Sequence, residues 1–148
     1  MKYTEKVSDK LNELLEKNYD AEAGYKAAAK NVEHKNLKKF FEERAQDRFE
    51  FGNELKDEIK FYGKEPEEGT SWKGDAHRAW MNLKSTFSSN SEETILEEAI
   101  KGEKAAIEEY DEILAGTILA SSTKKVLDEQ RNSVKAALED IKVLEDIS

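Results

Sequence analysis

Cysteine is absent from this 148-residue chain, proline occurs once, and there are only two histidines, His34 and His77. Without a thiol there is no disulfide framework, no thiolate zinc site and no cysteine nucleophile. Long apolar runs are missing as well. No stretch approaches the roughly 20 residues that a membrane helix needs, and Met1 leads straight into charged residues without the apolar core of a secretory leader. The expectation is a cytoplasmic protein with no membrane association. An excess of basic charge is also lacking: the net charge is −9 and the isoelectric point is near 4.9. Such a field repels phosphate backbones, so no nucleic-acid partner is expected. There is no glycine-rich phosphate loop and no serine nucleophile elbow.

What remains is helix-forming material. Charged residues make up 39% of the chain and hydrophobic ones 37%. Ala, Glu, Lys and Leu lose little on entering a helix. A first helix is expected over residues 8–32, with Ser8 as N-cap and an inner stripe of Leu11, Leu15, Asn18, Glu22, Tyr25, Ala29 and Val32. Steps alternating between three and four residues put these side chains on one face. A second stripe reads Leu37, Phe41, Arg44, Arg48, Phe51, Leu55, Ile59 and Tyr62, and stops at Gly63. The link between the two is so short that they must form an antiparallel hairpin.

The sole proline, Pro66, falls in a Gly, Glu and Lys-rich stretch over 63–74 that breaks the helical pattern. A shorter amphipathic segment follows, with Ala76, Trp80, Leu83 and Phe87 on one face. A third helix begins near Ser91 with the stripe Leu96, Ala99, Glu103, Ala106, Tyr110 and Ile113; after a turn over 116–123 a fourth carries Leu127, Gln130, Val134, Ala137, Ile141 and Leu144. The 148 residues therefore predict one all-α domain, a four-helix bundle with a long crossover containing a short helix between the second and third helices. A weak internal repeat aligns residues 14–22 with 95–103 and places Glu22 and Glu103 in equivalent positions.

The informative positions are those where a polar side chain interrupts an apolar seam, because a buried charge without a partner is costly. They are Asn18, Glu22, Arg44, Arg48, Glu103 and Gln130. Di-iron bundles supply a lone Glu from two helices and Glu-x-x-His from the other two. Here neither His34 nor His77 follows a Glu by three, since residue 31 is Asn and residue 74 is Gly. Two readings stay open. Glu22, Arg48, Glu103, Gln130 and Asn18 form a buried polar network with a guanidinium in place of metal, and there is no cofactor; or Glu22, Glu103, Gln130 and Glu43 hold iron or manganese in an oxidase-type or metal-handling site. His34 and His77 read as a turn residue and a helix-start residue. Trp72, Trp80 and Phe87 read as crossover side chains docked on the bundle, with an interaction surface for a protein partner or a second copy as the alternative.

Three segments carry a family resemblance: Arg44-Ala45-Gln46 leading to Glu54-Leu55; Gly74-Asp75-Ala76-His77-Arg78-Ala79-Trp80-Met81-Asn82-Leu83-Lys84; and Leu96-Glu97-Glu98 through Gly102-Glu103 to Tyr110. In these the chain resembles a bacterial ferritin-like four-helix-bundle family catalogued as a domain of unknown function and linked with stress responses. The similarity spans nearly the whole chain. It implies the ferritin-like fold and a stress-associated role, and brings no reaction with it. Members often carry a His in the last helix within Ala-Ala-His-Asp; this chain reads Ala136-Ala137-Leu138-Glu139-Asp140. The favoured expectation is thus a non-catalytic protein.

Overall fold

The computed structural model describes residues 3–67 and 92–147, and side chains as far as residue 144. Four helices make up these residues, with no strand among them: α1 (Tyr3–Asn31), α2 (Lys35–Phe61), α3 (Glu92–Gly116) and α4 (Ser121–Ile147). No helix among the described residues is long and apolar enough to cross a membrane. Helix α1 packs along α2 and α3 along α4, as short connections require.

Hydrogen bonds between the two hairpins give the helix directions. Lys17 of α1 pairs with Glu109 of α3, and at the other end the Glu92 carboxylate accepts from the backbone N–H groups of Glu33 and His34 at 3.0 and 3.1 Å. Helices α1 and α3 are therefore antiparallel. Gln130 of α4 donates to the Phe51 carbonyl of α2 at 3.2 Å, while Thr123 donates to Glu58 at 2.7 Å, so α2 and α4 are antiparallel too. The bundle runs up, down, down, up. Helix α2 accordingly ends at the opposite end of the bundle from the start of α3.

Helix α1 begins at Tyr3, a turn and a half before the expected start, and Ser8 is not its cap. Val7 is fully buried beside Leu11, so the apolar stripe extends upstream of Ser8. The Ser8 hydroxyl instead donates back to the Glu5 carbonyl at 3.0 Å. The cap that does form is His34 at the start of α2, whose Nδ1 accepts from Asn36 N–H at 3.2 Å. Helix α4 begins at Ser121, so the last turn is confined to 117–120. Helix α2 closes with a Schellman arrangement: Gly63 has φ +78°, its N–H reaches the Lys60 carbonyl at 2.9 Å, and Lys64 N–H reaches the Ile59 carbonyl at 3.3 Å.

The core falls into two apolar clusters. One holds Leu11, Leu15, Leu55, Ile59, Ile113 and Leu127 at the α2 C-terminal end; the other holds Phe41, Ala45, Ile95, Leu96 and Ile141 toward the α2 N-terminal end. Leu138 is buried with the core. The expected crossover residues Ala76, Trp80, Leu83 and Phe87, together with Trp72 and His77, lie outside the described residues.

Candidate functional site

Buried polar side chains contributed by all four helices lie among the apolar residues. Asn18, Arg48, Glu103 and Gln130 are each at most 4% exposed. Arg48 of α2 is at the centre. One arm of its guanidinium pairs with Glu103 Oε1 of α3, and Nη1 donates to Asn18 Oδ1 of α1 at 2.8 Å. Asn18 Nδ2 passes the chain on to the Tyr110 hydroxyl at 3.1 Å, and bonds the Leu14 carbonyl one turn back at 2.9 Å. The Tyr110 hydroxyl donates to Gln130 Oε1 of α4 at 2.7 Å, and Gln130 Nε2 returns to α2 through the Phe51 carbonyl and Glu54 Oε1, the latter at 3.0 Å. The result is one connected polar network joining α3, α2, α1 and α4.

Its electrostatics follow from burial. Dehydration opposes the charge on Arg48, but the Glu103 carboxylate and the two tyrosines beside it outweigh that cost and hold its pKa above the ordinary arginine value. Burial pushes the Tyr110 hydroxyl up from 10.0 to about 12, with Arg48 and Asn18 pulling the other way. Tyr25 is raised well above its usual range, first by burial and then by the negative charge of Glu103. Tyr25 O–H and Glu103 Oε2 are buried, and neither completes a hydrogen bond.

The expected metal donors do not converge. Glu22 points along its own helix and pairs with Lys26 at 2.8 Å, with 14% of its side chain exposed. Glu43 is exposed. One oxygen of Glu103 is taken by Arg48, and both ends of the Gln130 amide are used within the network. Among the described residues no three His, Asp or Glu side chains gather around a common point. These residues do not fit a di-metal centre, because a fixed guanidinium sits where cationic charge would have to be added. Arg44 is half-buried, in an ion pair with Asp47 at 3.1 Å and over the Phe40 ring at 5.0 Å.

Sequence reasoning missed Tyr110 and Glu54 as polar participants. The signal was a tyrosine in an otherwise apolar stripe, whose hydroxyl needs a partner once buried. Beside the network a cleft of about 670 Å³ opens between α1 and α3. Small residues such as Ala21, Ala28, Ala99 and Gly102 form part of its lining, together with the charged Lys17, Glu98, Lys101 and Glu109 and with Tyr25, Arg48 and Glu103 of the polar centre.

The family described as a domain of unknown function (DUF2383) matches residues 6–116. The chain belongs to that family. The match runs from the start of α1 through the end of α3, and so includes Asn18, Arg48, Glu103 and Tyr110 but not Gln130. No curated protein matches the chain.

Proposed function

We propose that this DUF2383 member is a ferritin-like, metal-free bundle with a non-catalytic, stress-associated role in the bacterial cytoplasm. The observation that carries the reading is the position of Arg48: a guanidinium, 4% exposed, paired with Glu103 at the centre of four helices. In a ferritin-like carboxylate bundle, metal ions supply the positive charge that balances inward-facing glutamates. Here arginine supplies it covalently, at any metal concentration. The helix directions support the ferritin-like part of the reading, since α2 and α3 run the same way and need a connection as long as the bundle. The stress association rests on the family resemblance alone.

Elemental analysis of protein purified without chelator tests the proposal. Iron and manganese well below one equivalent per chain are expected, before and after incubation with ferrous iron and air. Two tightly held equivalents would overturn it. Arg48→Glu, which restores an anionic cluster, should raise the metal content if charge is what keeps metal out.

A further inference from the structure

Helices α1 and α3 are tied at two levels. Lys17 and Asn18 meet Glu109 and Tyr110, and near the other end Glu92 binds the backbone N–H groups of Glu33 and His34. Between those levels lie the small residues of the cleft, Ala21 and Ala28 on α1 and Ala99 and Gly102 on α3. A Cβ added at Gly102 would meet nothing within 4 Å. Small-molecule sites enclose roughly 300 to 1,000 Å³ and combine apolar walls with a few placed polar groups. At about 670 Å³ this cleft has that size. Its other lining charges are of both signs: Lys17 pairs with Glu109, and Lys101 with Glu98 at 3.9 Å, beside Asp20. No field of one sign draws in a charged ligand.

Midway along the cleft two polar atoms have no partner. Tyr25 of α1 and Glu103 of α3 both line it and are 6% and 3% exposed. The Tyr25 O–H and Glu103 Oε2 are buried and complete no hydrogen bond, with each other or with any other group. An unmade hydrogen bond at a buried donor or acceptor is costly. Tyr25 keeps its proton, because burial and then the charge of Glu103 push its pKa up, so it offers a donor. Glu103 Oε2 is an acceptor, while Oε1 is held by Arg48. A hydroxyl serves both at once, accepting from Tyr25 and donating to Glu103. A charged head group would not, since Arg48 already balances Glu103 and a further buried charge would go unpaired.

We propose that the α1–α3 cleft binds a small neutral alcohol or phenol, its apolar body between the small-residue walls and its hydroxyl bridging Tyr25 and Glu103. Reaching the two atoms takes a turn of side chains, of the kind common on binding. The proposal rests on the metal-free reading in one respect: a metal on Glu103 would occupy Oε2.

Four probes with one ring system test it: 2-naphthol, naphthalene, 2-naphthoate and 2-naphthylmethylammonium. They are titrated by calorimetry into protein whose iron and manganese content has been measured and is negligible, so that a failure to bind counts against this site and leaves the metal-free reading standing. One 2-naphthol per chain is expected, bound at least about tenfold more tightly than each of the other three, the gain of one well-made hydrogen-bonded group. Amide shifts in nitrogen-15 spectra should centre on Ala21, Ala28, Ala99 and Gly102. Tyr25→Phe keeps the ring that stacks on Phe41 at 5.9 Å and removes only an unpartnered hydroxyl, so it should fold. It should bring 2-naphthol down to the affinity of naphthalene and leave naphthalene unchanged. Absence of binding by all four probes, equal affinity for naphthol and naphthalene, a charged probe binding as well as naphthol, or Tyr25→Phe without effect would each overturn the proposal.

Discussion

At the scale of single residues, the central fact is how Arg48 is held. Its guanidinium carbon lies 5.9 Å from the Phe51 ring centroid, and the guanidinium meets a carboxylate from α3 and an amide from α1. Taking a guanidinium and a carboxylate out of water costs several kcal/mol per ion, and their attraction offsets this only with good geometry and further hydrogen bonds. Arg48→Met should therefore destabilise the protein by about 3 to 5 kcal/mol in urea titration, because Glu103 is left charged and buried. Adding Glu103→Gln to Arg48→Met should recover a large part of that loss; strictly additive losses would mean the two side chains do not interact. Tyr110 supplies a pH dependence. Its pKa is 10.0 when unfolded and about 12 when folded, so the unfolded chain sheds a proton first as pH rises. Stability is complete below pH 10 and falls between about 10 and 12, by roughly 2 to 3 kcal/mol at 1.36 kcal/mol per unit. Denaturant midpoints at pH 8, 10 and 11 check this, and Tyr110→Phe should flatten the slope while losing the bond to Gln130.

At the scale of elements, the helix ends show how local chemistry delimits each segment. Gly63 sits at the C′ position of α2 with φ +78°, a region that costs side-chain-bearing residues about 1 to 2 kcal/mol. A Cβ there would meet no neighbour within 4 Å. The cost of Gly63→Ala is thus backbone strain only, about 1 kcal/mol, and Gly63→Asn should be milder because Asn tolerates that conformation. Thermal melts of the two variants would decide; equal melting temperatures for Ala and wild type would mean that the turn relaxes. Gly52 plays another part. Its position faces Tyr19 Cε1 at 3.3 Å and Leu15 at 3.5 Å from an added Cβ, so it permits close approach of α1 to α2.

At the scale of the whole molecule, two apolar clusters carry the burial, and hydrogen-bonded polar side chains reach every helix. Ile59 and Ile141 belong to different clusters, and both are fully buried. Each change to Ala should cost about 2 to 5 kcal/mol through lost burial and the cavity left behind. With no shared neighbours the two losses should add to within about 0.5 kcal/mol in the double variant. A coupling above about 1 kcal/mol would mean that the clusters act as one core. The acidic surface, at net −9, works against compaction, so moderate salt should raise the melting temperature by screening self-repulsion.

Much of this is legible in the sequence. Alternating steps of three and four residues mark the four helices, because only a helix brings such positions to one face. Gly63 marks the end of α2, because the left-handed conformation there favours glycine. Asn18, Arg48, Glu103 and Gln130 stand out as polar interruptions of apolar seams. What a stripe cannot tell is which partner a polar side chain meets, since that depends on the rotation and level of neighbouring helices. Glu22 and Glu103 are equivalent in the repeat, yet Glu22 turns to Lys26 on its own helix while Glu103 faces Arg48. Ser8 has the chemistry of a cap, yet Val7 before it lies in the core, because N-cap chemistry and i−3 bonding within a helix use the same hydroxyl. Tyr110 became a relay between Asn18 and Gln130 only when α1, α3 and α4 met at one level of the bundle. Periodicity along the chain thus determined the elements and their inward faces; the long-range register between helices, a property of packing that no local pattern encodes, decided which charges pair.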